Sequence, residues 1–354
     1  MQFPDRGSFE RDLERGRFKG PLASLASRAW ASLAGARLAR PLRVPSHARV
    51  IAVGGATLGG SWKTPLALAC AARLAADGGR VAIVGHAYKA DPGGPRFVDP
   101  RDPLEDVGDE ALVCARAVSG SGAVRVAVGP TRQDAVDLAL RHADQLVIDG
   151  ALQLAPRRAD LALLVVDGAS PWGAGACPPR GDLRALPAAL VAASDRVVAV
   201  GGPAALDAAL ARLGRPVDRA WATLLGARLA GTSAQDEDGE LVSLGQLRRL
   251  RVGLWTSIAR PSRVLDALAR EGVVPHTVLA AADHASPSAV ALQRARYAGV
   301  DVWVCTPKCR THLGSDLGGR PVCVLDTHIE IEGPLAEAIE VAGASPLSRP
   351  RALP

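Results

Sequence analysis

Short apolar runs recur along the chain, at residues 50–53, 80–84, 124–128, 145–148, 161–166 and 196–200, then at 252–257, 274–279, 302–305 and 322–325. They are rich in Val, Ile, Leu and Ala with little polar alternation, which predicts strands covered on both faces and therefore a mainly parallel sheet wrapped by helices. Alanine-rich stretches of helical length separate them, giving the alternating order of an α/β fold. Gly201-Gly202 and a polar insert, Gln235 to Glu240, divide the two series. The expected organisation is a doubly wound domain over 46–215 and a second, smaller α/β domain over 216–354. The acidic insert reads as a solvated hairpin tip.

Residues 1–45 stand apart from that pattern. The first twenty are charged, with phenylalanines interleaved, whereas 21–43 places Leu22, Leu25, Ala26, Ala29 and Leu33 at helical spacing beside Trp30, Arg28, Arg37, Arg40 and Arg43. Such a helix suits an anionic bilayer surface. It suits equally a helix packed on its own domain, because the arginines do not segregate to one face. No uninterrupted apolar run of about 18 residues occurs, so no membrane-spanning helix is expected.

The stretch from Val50 to Pro65 carries the clearest chemistry. An apolar strand runs into Gly54-Gly55-Ala56-Thr57-Leu58-Gly59-Gly60-Ser61-Trp62-Lys63-Thr64-Pro65, which opens a helix. Backbone N–H groups and the positive end of the helix dipole are thereby presented to an anion, as phosphate binding requires. In that reading Thr57, Gly59, Gly60, Ser61, Trp62, Lys63 and Thr64 surround a nucleotide phosphate, Lys63 meets the terminal phosphates and Thr64 a Mg²⁺ ion. A standard phosphate loop has glycine where this chain has Thr57 and Trp62. A second apolar strand ends in Asp149-Gly150, the position of a carboxylate that orients Mg²⁺.

Composition narrows the partners. A net charge of +6 suits an anionic ligand without choosing one. Arginine supplies nearly all positive charge: only Lys19, Lys63, Lys89 and Lys308 are lysines, so a lysine at the loop position is unlikely to be chance. No basic stripe interleaved with aromatics is present, which argues against nucleic acid. Six scattered cysteines without a leader predict reduced thiols in the cytoplasm. Cys305 and Cys309 lack a second pair of zinc spacing.

The series of motifs resembles the tetraacyldisaccharide 4'-kinase family, whose phosphate loop also carries threonine at the position of Thr57. Tyr88, Gly108-Asp109-Glu110, Asp149-Gly150 with Gln153, Arg184, Ile258-Ala259-Arg260-Pro261 with Arg263, Asp283-His284, and Thr306 with Lys308 follow in the family's order. The resemblance implies a P-loop NTPase type of fold binding ATP and Mg²⁺. It implies that the γ-phosphoryl passes to the 4'-hydroxyl of a lipid A disaccharide precursor at the cytoplasmic face of the inner membrane. By the same carry-over, Asp109 is the general base, paired with His284; Lys63 neutralises charge; Thr64 and Asp149 hold the metal; and Glu110, Gln153 and Arg184 face the substrate. A monomer is expected. The chain departs from the family at Trp62, His86-Ala87, Ile148 (an aspartate in the family), Leu154 (a histidine) and Cys309 (an aspartate). Those departures leave open a second reading, a non-catalytic relative that binds nucleotide or lipid at the membrane.

Overall fold

The computed structural model describes residues 12–76, 78–203, 206, 210, 212–231, 239–281, 285–331 and 333–344. Helix α1 (Pro21–Ala36) precedes the short strand β1 (Ala39–Pro41), then β2 (Arg49–Gly55), α2 (Lys63–Ala76), β3 (Val81–Val84) and β4 (Arg96–Phe97). There follow α3 (Asp109–Ala117), β5 (Val124–Val128), α4 (Arg132–Ala139), β6 (Gln145–Asp149), β7 (Gln153–Ala155), β8 (Leu161–Asp167), α5 (Pro187–Ala192) and β9 (Arg196–Val200). The second half contains β10 (Val217–Leu229), β11 (Leu241–Ser243), β12 (Val252–Thr256), α6 (Ser262–Arg270), β13 (Thr277–Ala280), β14 (Val302–Cys305), β15 (Asp316–Leu317), β16 (Arg320–Ile331) and α7 (Gly333–Gly343).

Among the described residues one large sheet runs β13-β12-β14-β16-β10-β9-β8-β2-β6-β3-β5-β4, with β11 added to β10 and β15 to β16, and β1 pairs with β7 in a separate two-stranded sheet. The apolar runs become its parallel strands: β2 pairs in parallel with β6 and β8, and β12 with β13 and β14. Two long strands, β10 and β16, pair antiparallel and join the halves into one sheet. After β16 the chain returns, and α7 packs on α2 and β2 of the first half. Part of the acidic insert, 235–238, lies outside the described residues; β10 and β11, which flank it, pair antiparallel.

Alternation along each strand splits the first half's core between the two faces of the sheet. Ile51, Val53 and Val147 pack with α2 and α3, whereas Val50, Ala52, Leu146 and Ile148 pack with α4 on the other face. Because β3 lies beyond β6 while β8 lies on the opposite side of β2, the order reverses at β2. Such a reversal opens a crevice at the strands' carboxyl ends, where ligands of open α/β sheets bind.

Candidate active site

The turn after β2 is held tightly. A Cβ on Gly55 would lie 1.9 Å from Ser61 Oγ and 2.9 Å from Lys63 Cγ, so only glycine lets the loop fold back over the strand. Thr57 closes the first bend by donating its hydroxyl to Gly59 O at 2.7 Å and forms a bridge with Leu183. Trp62 adopts a left-handed φ of 62°, the torsion for which glycine is usual at this point. Its carbonyl accepts the N–H of Leu66 at 3.1 Å, starting the helix.

Lys63 opens α2 and is buried. Burial and then Arg184 push its ammonium below the ordinary value, against the opposing pull of Glu110 and Asp149. Thr64 donates its hydroxyl to Asp149 Oδ2 at 2.6 Å. Asp149 ends β6 opposite Val53 of β2, and its Oδ1 is buried without a hydrogen-bond partner among the described residues. Burial first and Glu110 second raise its carboxyl above the usual carboxylate range. A hydroxyl and a carboxylate with one oxygen uncommitted form a hard donor pair that fits Mg²⁺, an ion that keeps several of its own waters. Arg132, at the start of α4, reaches this corner, its Nη2 3.4 Å from the position of a Cβ on Gly150. Burial brings it down to about 10, with Asp149 opposing.

Asp109 begins α3 and is only 3% exposed. Gly108 before it has φ 81° and passes the Tyr88 backbone so closely that a Cβ would sit 3.3 Å from Tyr88 N and O. The 85–89 loop is thereby locked onto the start of α3. Two side chains from the second half face the carboxylate: Lys308 Nζ and His312 Nε2 both lie 3.8 Å from Asp109 Oδ2. His312 went unnoticed in the sequence, although its position four residues beyond Lys308 on a helical turn was the available signal. His284, expected to pair with Asp109, and its neighbour Asp283 lie outside the described residues.

Two expected substrate residues are hydrogen-bonded to backbone. Gln153 is buried in β7, where Oε1 accepts the N–H groups of Leu154 and Ala159 at 3.0 and 2.7 Å and Nε2 reaches Ala193 O at 3.4 Å. Its amide is therefore consumed by backbone and does not face the crevice. Arg184 turns to the phosphate loop, donating from Nε to Thr57 O at 2.9 Å and from Nη2 to Leu58 O at 3.3 Å. Glu110 stays with the site through its charge on Lys63 and Asp149.

The departures from the family pattern are mostly packing changes. Ile148 and Leu154 lie together in the apolar cluster on the α4 face, opposite Thr64 and Asp149. Two positions that the family fills with an acid and a histidine have become apolar in one core, so this loss does not strip a ligand from the Thr64 corner. Ile148→Asp should therefore not add a metal ligand. It should destabilise the fold by about 3 kcal/mol or more, as an unpaired buried carboxylate does; a urea titration that leaves the midpoint unchanged would contradict the placement. Cys309 is buried too, accepting Ser257 N–H at 3.2 Å and the Thr306 hydroxyl at 3.1 Å.

A sequence profile described as Tetraacyldisaccharide-1-P 4'-kinase matches residues 21–342. The chain belongs to this family. It is 35% identical over 285 residues to a tetraacyldisaccharide 4'-kinase of Anaeromyxobacter dehalogenans (strain 2CP-C), covering 71% of this chain and 72% of the relative. A protein of the same name from Geobacter sulfurreducens is 33% identical over 307 residues, covering 82% and 83%. The fold is similar to a crystal structure of LpxK from Aquifex aeolicus in complex with ATP, at a TM-score of 0.64 and 19% identity over 90% of this chain and 97% of that one. Family membership gives the alternating strands, the Thr57 loop and the Gly108-Asp109-Glu110 motif one common origin.

Proposed function

We propose that the protein transfers the γ-phosphoryl group of ATP to the 4'-hydroxyl of a tetraacylated glucosamine disaccharide 1-phosphate, the lipid A precursor. The reading is carried by Lys63 and the Thr64–Asp149 pair at the carboxyl ends of β2 and β6, and by Lys308, whose charge acts on Lys63 and whose Nζ lies 3.8 Å from Asp109. The backbone N–H groups of the loop and the start of α2 would cradle the phosphates, with Lys63 against the terminal ones. Thr64 and Asp149 would hold Mg²⁺, which when bound neutralises phosphate charge and orients the group to be transferred. Asp109 takes the proton from the acceptor hydroxyl, so that the oxygen attacks phosphorus while the bond to the departing ADP breaks. Lys308 and His312 fix the carboxylate's direction. Arg184 acts by holding Thr57 and Leu58 of the loop rather than by meeting substrate. Catalysis is thus mainly positioning and charge neutralisation.

The non-catalytic alternative rested on the motif departures. Three of them, Ile148, Leu154 and Cys309, are buried among apolar side chains, which favours an active enzyme. Incubating purified protein with labelled ATP, Mg²⁺ and the disaccharide 1-phosphate in detergent tests it. Label should appear on the lipid; Mg-ATP binding without any transfer would return the non-catalytic reading.

A peripheral place on an anionic membrane, as a monomer, completes the proposal. No helix among the described residues is long and apolar enough to cross a membrane. Helix α1 buries Ser27 and Ala31, and Ser27 donates its hydroxyl to Cys177 O at 2.7 Å. Its outer face leaves Leu22, Leu25 and Leu33 82%, 67% and 63% exposed, flanked by exposed Arg28, Arg37, Arg40 and Arg43. Trp30 reaches Arg184 O at 3.4 Å, so the apolar face adjoins the segment that braces the phosphate loop. Replacing Leu22, Leu25 and Leu33 together by serine should reduce co-sedimentation with anionic vesicles at least about 10-fold without lowering the melting temperature, since each exposed leucine contributes roughly 1 kcal/mol or more on entering the interface. Vesicle binding unchanged by the triple substitution would remove α1 from the membrane contact.

A further inference from the structure

The phosphate loop is braced from the second half by a cluster of buried charge. Arg260 and Arg263 flank the start of α6, three residues apart and so on one side of the turn. Arg260 Nη2 lies 2.8 Å from Asp182 Oδ2 and its Nη1 3.3 Å from Asp167 Oδ2. Arg263 Nε donates to Asp167 Oδ2 at 2.7 Å. The side chains of Arg260 and Arg263 are only 12% and 11% exposed, and those of Asp167 and Asp182 only 10% and 3%. Asp167, at the end of β8, thus ties the two arginines of the second half to the first.

This cluster touches the loop at Gly60 and at Trp62. A Cβ on Gly60 would lie 3.4 Å from Arg260 Cγ, 3.4 Å from Arg263 Nη1 and 3.5 Å from Ala259 Cβ. The Arg263 guanidinium carbon stands 5.5 Å from the centre of the Trp62 indole ring, within the range of an attractive cation–ring contact. The indole also packs against the core beneath α2. Trp62 has no conformational freedom comparable to glycine, yet holds φ 62° with its bulk directed to α6 and the core. An arginine clamped by Asp167 is what faces it.

We propose that Arg263 is a positioning residue of the phosphate loop, holding the Trp62 indole against the second half so that the loop keeps room for phosphate without glycine before its lysine. Nucleotide affinity then depends on a residue of the second half that need not touch nucleotide. The inference rests on the nucleotide-binding reading above and adds a link between the two halves of the sheet.

A double-mutant cycle tests it, with Mg-ATP affinity measured by calorimetry on the full-length wild type, Arg263→Met, Trp62→Gly and the double variant. Arg263→Met should raise Kd about 3- to 30-fold in the wild-type loop, the range of a partly buried cation–ring contact. In the Trp62→Gly background, with no indole to hold, the same substitution should change Kd less than about 2-fold. Asp167→Asn with Arg263→Met, which leaves no carboxylate stranded, should reproduce the loss if Arg263→Met alone folds poorly. An equal loss in both backgrounds would show that Arg263 meets nucleotide directly or merely supports the fold, and no loss in either would also overturn the proposal. Failure of all four proteins to bind Mg-ATP would instead overturn the nucleotide reading itself.

Discussion

Asp109→Ala should lower the turnover number for phosphoryl transfer by about 10²- to 10⁴-fold, the usual cost of removing a general base, while Mg-ATP affinity changes little. The split follows from the geometry. Asp109 begins α3 across the crevice from α2, and neither the Lys63 nor the Thr64 side chain depends on it for a hydrogen bond that would order the nucleotide corner. Its carboxylate faces Lys308 and His312 instead, both 3.8 Å from Oδ2. An ammonium and an imidazole at that distance direct the carboxylate, which a base needs before it accepts a proton. Asp109→Asn preserves shape and should be nearly as inactive, because an amide cannot take the proton. His312→Gln should cost less than either. Single-turnover measurements with labelled ATP separate the chemical step from binding; an Asp109→Ala protein with unchanged single-turnover rate would remove the residue from the mechanism.

Much of this site could be read from the chain because it is built from contiguous stretches. The apolar run into Gly54-Gly55 and the Lys63-Thr64 helix start are one continuous signal, and Asp149 is marked by the strand that it ends. Other features depend on which face of a strand a residue occupies. Ile148 and Asp149 are neighbours in sequence but lie on opposite faces, one in the α4-side core and the other beside Thr64. In this chain the position that holds an aspartate in the family therefore falls on the packing face. Long-range partners were invisible for a different reason. Nothing local in Arg184 says that it will reach Thr57 O, nor in Asp167 that two arginines nearly a hundred residues later will close on it. The antiparallel β10 and β16 were missed in part because β10 mixes exposed Trp221, Leu225 and Leu229 with buried positions, and so lacks the uniform apolar run of the parallel strands.

Asp149→Asn should cost the enzyme about 10²- to 10³-fold in kcat/KM, since one charged metal ligand contributes several kcal/mol to transition-state stabilisation, and should raise the Mg²⁺ concentration needed for half-maximal rate. The loss is large because the corner has a single strand-end carboxylate. Ile148 cannot substitute for it from the other face, and Thr64 offers only a neutral oxygen. The same substitution should change the fold's stability little. Asp149 is 4% exposed, its Oδ1 has no hydrogen-bond partner among the described residues, and only Thr64 donates to Oδ2. A charge held in that setting is costly, and a neutral amide of the same shape relieves the desolvation while still accepting the Thr64 hydroxyl. The loss of partial neutralisation for Lys63, Arg132 and Arg184 opposes this, with Glu110 still present, so the net change in stability should lie within about 1 kcal/mol of zero. Thermal unfolding in EDTA beside a Mg²⁺ titration of activity reads both quantities. A variant that loses activity and melts well below wild type would mean that Asp149 holds the β6 end together rather than serving the metal, whereas lost activity with an equal or higher melting point marks a carboxylate kept at the expense of stability for the ion that it binds.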